Sequence, residues 1–148
     1  LTFMSATRLI RAVLPDMKQQ KWGRIINITS ISAKQPVENL ILSNTIRPAV
    51  HGLAKSLASE VGQYNITVNN VLPGYIQTDR INQLAQNKAK SEEIEADDYI
   101  ANLATDNSIA RIGQPQELGN LVTYLASEQA GYITGDSILI DGGLYKAV

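Results

Sequence analysis

Three short β-branched runs set between amphipathic helices constrain this chain more than any other feature. Ile25-Ile26-Asn27-Ile28-Thr29, Ile66-Thr67-Val68-Asn69-Asn70-Val71-Leu72 and Ser137-Ile138-Leu139-Ile140, the last led in by Ile133, are too short for helices and apolar enough for buried strands. Ahead of the first run, Met4, Leu9, Ile10, Val13, Leu14 and Met17 recur at helical spacing and predict a helix over Phe3 to Met17 that ends at Trp22-Gly23. Val50, Leu53, Ala54, Leu57, Ala58 and Val61 predict a second helix that stops around Gly62. Pro115-Gln116-Glu117 opens a third, whose apolar face is Leu118, Leu121, Val122, Leu125 and Ala126. Strands that alternate with helices at this spacing imply right-handed crossovers and a parallel sheet, so the expected class is α/β. Three strands with this helix set read as part of a larger, doubly wound sheet. Ligands of such sheets bind beyond the carboxyl ends of the strands, which directs attention to Thr29-Ser30, Pro73-Gly74 and Asp141-Gly142.

Composition narrows the function. The 148 residues hold 13 Lys+Arg against 14 Asp+Glu, a formal charge of -1, so there is no broad basic surface for nucleic acid and none is expected as a partner. With no cysteine and only His51 there is no basis for a metal cluster, and a reducing compartment fits. No apolar run approaches the ~18 residues that cross a bilayer, and the first residues lack a signal-peptide layout, so a cytoplasmic protein without membrane attachment is expected. Two glycosylation-like triplets at Asn27 and Asn65 then carry little meaning. The first residue is Leu1 rather than Met, from which processing or truncation is expected. Residues 1–148 read as a single α/β unit in which the polar stretch 78–107 is a mobile helical insert on the substrate side, with the Lys88 to Asp98 charges on a solvated face.

Four stretches occur in one order: Gly23-Arg24-Ile25-Ile26-Asn27-Ile28-Thr29-Ser30, Asn69-Asn70-Val71-Leu72-Pro73-Gly74-Tyr75-Ile76-Gln77-Thr78, Arg111-Ile112-Gly113-Gln114-Pro115-Gln116-Glu117, and Tyr132-Ile133-Thr134-Gly135 through Asp141-Gly142-Gly143. Together they resemble the short-chain dehydrogenase/reductase family, in the manner of bacterial 3-oxoacyl-carrier-protein reductases. The resemblance covers the second half of that family's Rossmann-like, doubly wound domain. It implies NAD or NADP as cofactor, hydride transfer to or from a small-molecule carbonyl or alcohol, and a homo-oligomer. The helices over Phe3 to Met17 and Val50 to Val61 would form one interface, and the last strand with Tyr145 a second. The family's opening strand, TGxxxGxG turn and helix, which cradle the cofactor pyrophosphate, have no counterpart in residues 1–148, so the adenine and pyrophosphate side is expected outside this chain.

Carried over residue by residue, the family's active-site serine falls on Ser30, its tyrosine on Ser43, its lysine on Arg47 and its asparagine on Thr2. In the family the phenol exchanges the substrate-oxygen proton while the lysine cation lowers its pKa and holds the nicotinamide ribose. A serine hydroxyl is shorter and less acidic, and an arginine fork differs from an ammonium point charge. The resemblance implies Ser30 at the substrate oxygen; Tyr75, whose loop leaves the second strand at the same carboxyl edge, or a water relayed through Ser43 is the expected proton source, with Arg47 as the stabilising charge. Backbone groups of Pro73, Gly74 and Ile76 and the Thr78 hydroxyl would meet the nicotinamide.

Plainer readings stand beside these. Ser43 also reads as a helix N-cap, Tyr75 as a residue packed over its loop, His51 as a helix-packing residue and Asp141 as the closer of a turn with Gly142-Gly143. Pro48 disfavours helix just before it, which leaves open whether Ser43 and Arg47 share a face. The missing Tyr and Lys also fit a catalytically degenerate relative kept for binding or assembly.

Overall fold

The computed structural model describes residues 2–92 and 94–147. In chain order it contains α1 (Thr2–Gln20), β1 (Gly23–Ile28), α2 (Ile41–Val61), β2 (Ile66–Pro73), α3 (Asp79–Glu92), α4 (Ala96–Leu103), α5 (Pro115–Ala126) and β3 (Ser137–Ile140). Single 3-10 turns follow β1 at Ile31–Ala33, α2 at Gly62–Tyr64 and α5 at Glu128–Ala130. The strands form one parallel sheet in the order β1-β2-β3, with Gly23 opposite Ile66, Asn70 opposite Ser137 and Pro73 opposite Ile140. The central strand β2 is buried from Ile66 to Leu72, which explains its nearly continuous apolar character.

Alternation along the strands sorts the core onto two faces. Ile25, Ile66 and Val68 pack with Ile10 of α1 and with Ala54, Ala58 and Val61 of α2, and the two small alanines let α2 lie close to the sheet. On the opposite face Val71, Ile26, Ile138 and Ile140 pack against Leu118, Leu121, Val122 and Leu125 of α5. Pro115 is the first residue of α5, and the Glu117 carboxylate accepts from the Gln114 amide at 2.7 Å, closing the helix start. Among the described residues no helix is long and apolar enough to cross a membrane.

Two expectations need correction. Ile133 stands outside β3, its amide donating to Ala130 O at 3.0 Å in the preceding turn. More consequentially, α2 begins at Ile41 instead of near Val50 and runs through Pro48. Proline removes the amide that would bond to the Asn44 carbonyl. Local side-chain bonds support this stretch: Thr45 Oγ1 donates to Ile41 O at 2.9 Å, and the Asn44 amide group both accepts from Val37 N at 3.1 Å and donates to Val37 O at 2.9 Å. The first turns of α2 carry Ile41 and Leu42 exposed to solvent, so the apolar periodicity begins only at Val50.

Candidate functional site

The site lies at the carboxyl edge of β1, where the extended backbone of Ser30 leads into the 3-10 turn. Ser30 Oγ accepts from the Ser32 amide at 3.1 Å, capping that turn and leaving the Ser30 proton available. Ser32 in turn sets its hydroxyl oxygen 3.0 Å from Ser43 Oγ. Because α2 starts at Ile41, Ser43 is its third residue and the N-cap position belongs to Leu40, so the N-cap reading of Ser43 is replaced. Ser43, Arg47 and His51 follow at four-residue intervals and share one helix face.

Arg47 joins the helix to the strand end. Its Nε donates to Ser43 Oγ at 2.7 Å and its Nη1 donates to the Thr29 carbonyl. Burial, and then the neighbouring Arg80 cation, hold the Arg47 guanidinium below its ordinary pKa. Arg80 lies in the first turn of α3, so α3 brings a second positive charge toward the same edge. A hydroxyl in such surroundings gives up its proton more readily, since the oxyanion left behind is met by a charged donor.

His51 locks the strand end from the other side. Thr29 Oγ1 donates to Val71 O at 3.3 Å and therefore accepts from His51 Nε2 at 2.9 Å, which puts the imidazole proton on Nε2. His51 Nδ1 then accepts from Ser137 Oγ at 3.2 Å, and Ser137 Oγ itself accepts from Asn70 Nδ2 at 3.2 Å. Asn70 Oδ1 completes the chain by accepting from Asn27 Nδ2 at 3.1 Å. Burial, with the Lys34 cation as the second cause, holds the imidazole below its ordinary pKa and favours this neutral form. His51 is thus more than a packing residue, since it ties β1, α2 and β3 together directly beneath Arg47.

The loop after β2 is divided in its roles. Pro73 is the last strand residue and has no amide proton, and the Gly74 amide donates to Ile140 O at 3.1 Å. A Cβ on Gly74 would lie 2.9 Å from the Asp141 Cβ and 3.0 Å from its Cα, so glycine is required there by the close passage of β3's end. Gly113 N donates to Tyr75 O at 2.9 Å and Gln77 N to Gly113 O at 2.8 Å, the pattern of a parallel bridge between Ile76 and Gly113. That pattern uses the neighbours of Ile76 and leaves Ile76's own N–H without a partner among the described residues. Thr78 is exposed at the mouth of α3, its carbonyl accepting from Asn82 N at 3.0 Å. Of the four expected loop contacts, Ile76 and Thr78 retain donors without a partner among the described residues, whereas Pro73 and Gly74 act in the sheet.

Among the described residues Tyr75 makes no hydrogen bond to Ser30, Ser43 or Arg47, and none of the three lines its cavity. Its ring lines a cavity of about 120 Å³ with Ile109, Arg111, Glu117 and Asp141. Burial first, then Tyr99 and Asp106, push the phenol pKa up, the opposite of what an acid catalyst needs. The bidentate Arg111 pair at 2.7 and 2.8 Å holds the exposed Glu117 carboxyl at about 2. Asp141 closes its turn as expected, accepting from Gly143 N at 3.0 Å and Tyr145 N at 2.8 Å. Thr2, the asparagine position by resemblance, is the exposed first residue of α1.

Comparison with known proteins decides the family. The profile described as Enoyl-(Acyl carrier protein) reductase matches residues 1–145. The chain belongs to the short-chain dehydrogenase/reductase family. It is 36% identical over 132 residues to the NADPH-dependent reductase BacG of Bacillus subtilis, covering 89% of this chain and 51% of that protein. It is 36% identical over 145 residues to the 3-oxoacyl-[acyl-carrier-protein] reductase FabG of Pseudomonas aeruginosa, covering 97% of this chain and 53% of that protein. The crystal structure of L-sorbose reductase from Gluconobacter frateurii complexed with NADPH and L-sorbose superposes with a TM-score of 0.96 at 34% identity, covering 100% of this chain and 57% of that one.

The chain therefore spans about half the length of the short-chain dehydrogenase/reductase relatives it matches, and its three parallel strands with helices on both faces are part of a Rossmann fold. Ser32, His51, Asn70 and Ser137 join this hydrogen-bonded network, a role the sequence motifs do not assign to them. A polar stripe at Ser43, Arg47 and His51 was the available signal, visible only once α2 is allowed to start ahead of Pro48.

Proposed function

We propose that the protein carrying this chain is an NAD- or NADP-dependent oxidoreductase that interconverts a small-molecule carbonyl and its alcohol, with Ser30, Ser43 and Arg47 as its catalytic residues. The observation that carries the reading is the hydrogen-bonded cluster itself. Ser43 and Arg47, at the positions where the family has tyrosine and lysine, are bonded to each other at 2.7 Å, and Ser43 is linked through Ser32 to Ser30. A degenerate site has no need of such order.

The Ile76 amide and the Thr78 hydroxyl and amide, which have no partner among the described residues, offer the donors that a nicotinamide carboxamide would accept. A reduced nicotinamide bound there would supply the hydride for the carbonyl carbon. Ser30, whose hydroxyl donates to no group among the described residues, donates to the substrate oxygen and polarises the carbonyl. Ser43 gives its proton to that oxygen as negative charge builds there, and the Ser43 oxyanion is held by Arg47 Nε until water returns a proton. Arg47 itself stays charged and orients Ser43 through one nitrogen while anchoring to Thr29 through another. Tyr75 has no part in the step.

The assembly reading rests on apolar side chains without a cover. Met4, Leu9 and Val13 of α1 and Ile41 and Leu42 of α2 are exposed, as suits a homo-oligomer built on these helices. A cytoplasmic location accords with the absence of cysteine. The test is carbonyl-dependent oxidation of NADH and NADPH by the protein expressed at full length, over a panel of aldehydes and ketones. Turnover that depends on both partners supports the reading, and cofactor binding without turnover on any substrate or in the reverse direction contradicts it.

A further inference from the structure

We infer that Ser32 is a positioning residue whose hydroxyl donates to Ser43 and so turns the Ser43 proton outward, toward the oxygen of the bound substrate. The inference rests on the reading of Ser43 as proton donor and adds a residue that no family motif assigns.

The direction of the Ser32 to Ser43 bond follows from burial. The two oxygens are 3.0 Å apart, and the geometry alone permits either to donate. Ser32 is 3% exposed, and among the described residues its hydroxyl has Ser43 as its one hydrogen-bond partner. Were Ser43 the donor, the Ser32 proton would be left buried and unpaired, at the expense of about 1–3 kcal/mol. Ser43 is half-buried at the mouth of the cluster and can turn its proton to solvent or ligand at little cost. Ser32 therefore donates. Ser43 Oγ then accepts twice, from Ser32 Oγ and from Arg47 Nε at 2.7 Å, and a hydroxyl with both lone pairs engaged has only its proton left to offer.

The backbone fixes Ser32 for this role. Its amide is bonded to Ser30 Oγ within the 3-10 turn, and that turn packs on α2. The same turn therefore holds Ser30 at its start and, through Ser32, orients the proton of Ser43 on α2, which gives the substrate oxygen two donors. Without Ser32 the Ser43 hydroxyl regains rotational freedom and the acceptor side is open to water.

Neutron diffraction from deuterium-exchanged crystals of the full-length protein reads the bond directly, whatever the activity. Deuterium on Ser32 Oγ directed at Ser43, with the Ser43 deuterium pointing away from Ser32, is the expected result; deuterium on Ser43 directed at Ser32 overturns the inference. Kinetics supply the second reading. Ser32→Ala is expected to lower kcat about tenfold with KM unchanged, the effect of roughly one hydrogen bond in the transition state. Introduced into a Ser43→Ala background, the same substitution is expected to change kcat no further. An equal loss in both backgrounds overturns the inference, because Ser32 would then act independently of Ser43. Ser43→Ala turnover equal to wild type is a different failure: it removes Ser43 as proton donor, while the neutron map still decides which hydroxyl donates.

Discussion

Ser43 and Arg47 stand one helical turn apart on α2, with Arg47 Nε 2.7 Å from Ser43 Oγ. By the resemblance drawn from the sequence, the pair falls where the short-chain dehydrogenase/reductase family has its tyrosine and lysine, with their proportions reversed: a short donor beside a long, forked cation. What the hydroxyl loses in reach and acidity, the directly bonded guanidinium offsets in part by stabilising the oxyanion.

Arg47 is bonded at two of its nitrogens, so the conservative replacement is not a neutral one. Arg47→Lys can keep the charge but reaches Ser43 or Thr29 rather than both, and Arg47→Met removes the charge altogether. Turnover is expected to fall in that order, with Met losing about 10²-fold, and equal activity in all three proteins would show that Arg47 takes no part.

Tyr75 faces the cavity beside Arg111 and Glu117, with its phenol pKa raised by burial. Tyr75→Phe is expected to leave kcat within about twofold of wild type, far from the ~10²-fold typical of a lost acid. A large fall in kcat at unchanged KM would return the phenol to the reaction.

His51 gives the fold a pH dependence of defined sign. Its folded pKa lies below the unfolded value near 6.5, so the unfolded chain binds the proton first as pH falls. The contribution of the neutral imidazole is fully present above that value and is lost progressively as pH drops from it toward the folded pKa. Thermal unfolding at pH 7.5 and 5.5 is expected to show a larger acid loss in wild type than in His51→Asn. Parallel losses in the two proteins would place the sensitivity elsewhere.

Gly74 passes Asp141 with no room for a side chain, the added Cβ meeting atoms at 2.9 and 3.0 Å, one of them backbone. Gly74→Ala is expected to destabilise by about 1–3 kcal/mol, as overpacking in close-packed interiors does, measurable by denaturant unfolding. An unchanged midpoint would mean that the ends of β2 and β3 are less closely joined than described.

The central strand was legible because burial on both faces leaves a nearly continuous apolar run from Ile66 to Leu72, and β1 and β3 because short runs of isoleucine and leucine end at glycine, proline or a turn. The start of α2 was not, since its first turns expose Ile41 and Leu42 and contain Pro48, and neither periodicity nor propensity favours helix there. That one boundary hid the rest of the site. With α2 beginning at Ile41, Ser43 ceases to be a cap, Arg47 comes within reach of it, and His51 falls on the same face. Ser32 and Ser137 meet α2 only through tertiary contact, across separations in sequence that no local pattern records. For Tyr75 the sequence leaves two readings open, since a residue following β2 at the carboxyl edge can turn either way; pairing of Ile76 with Gly113 sets it in the cavity beside Glu117 of α5.

The most direct measure of the central claim, that Ser43 takes the place of the family tyrosine, is kcat and KM of the full-length protein against its Ser43→Ala variant, with the carbonyl substrate that wild type turns over fastest. A fall of about 10²-fold in kcat with KM nearly unchanged is expected, since the proton is given in the transition state and not in the ground state. A variant that retains wild-type kcat would contradict it.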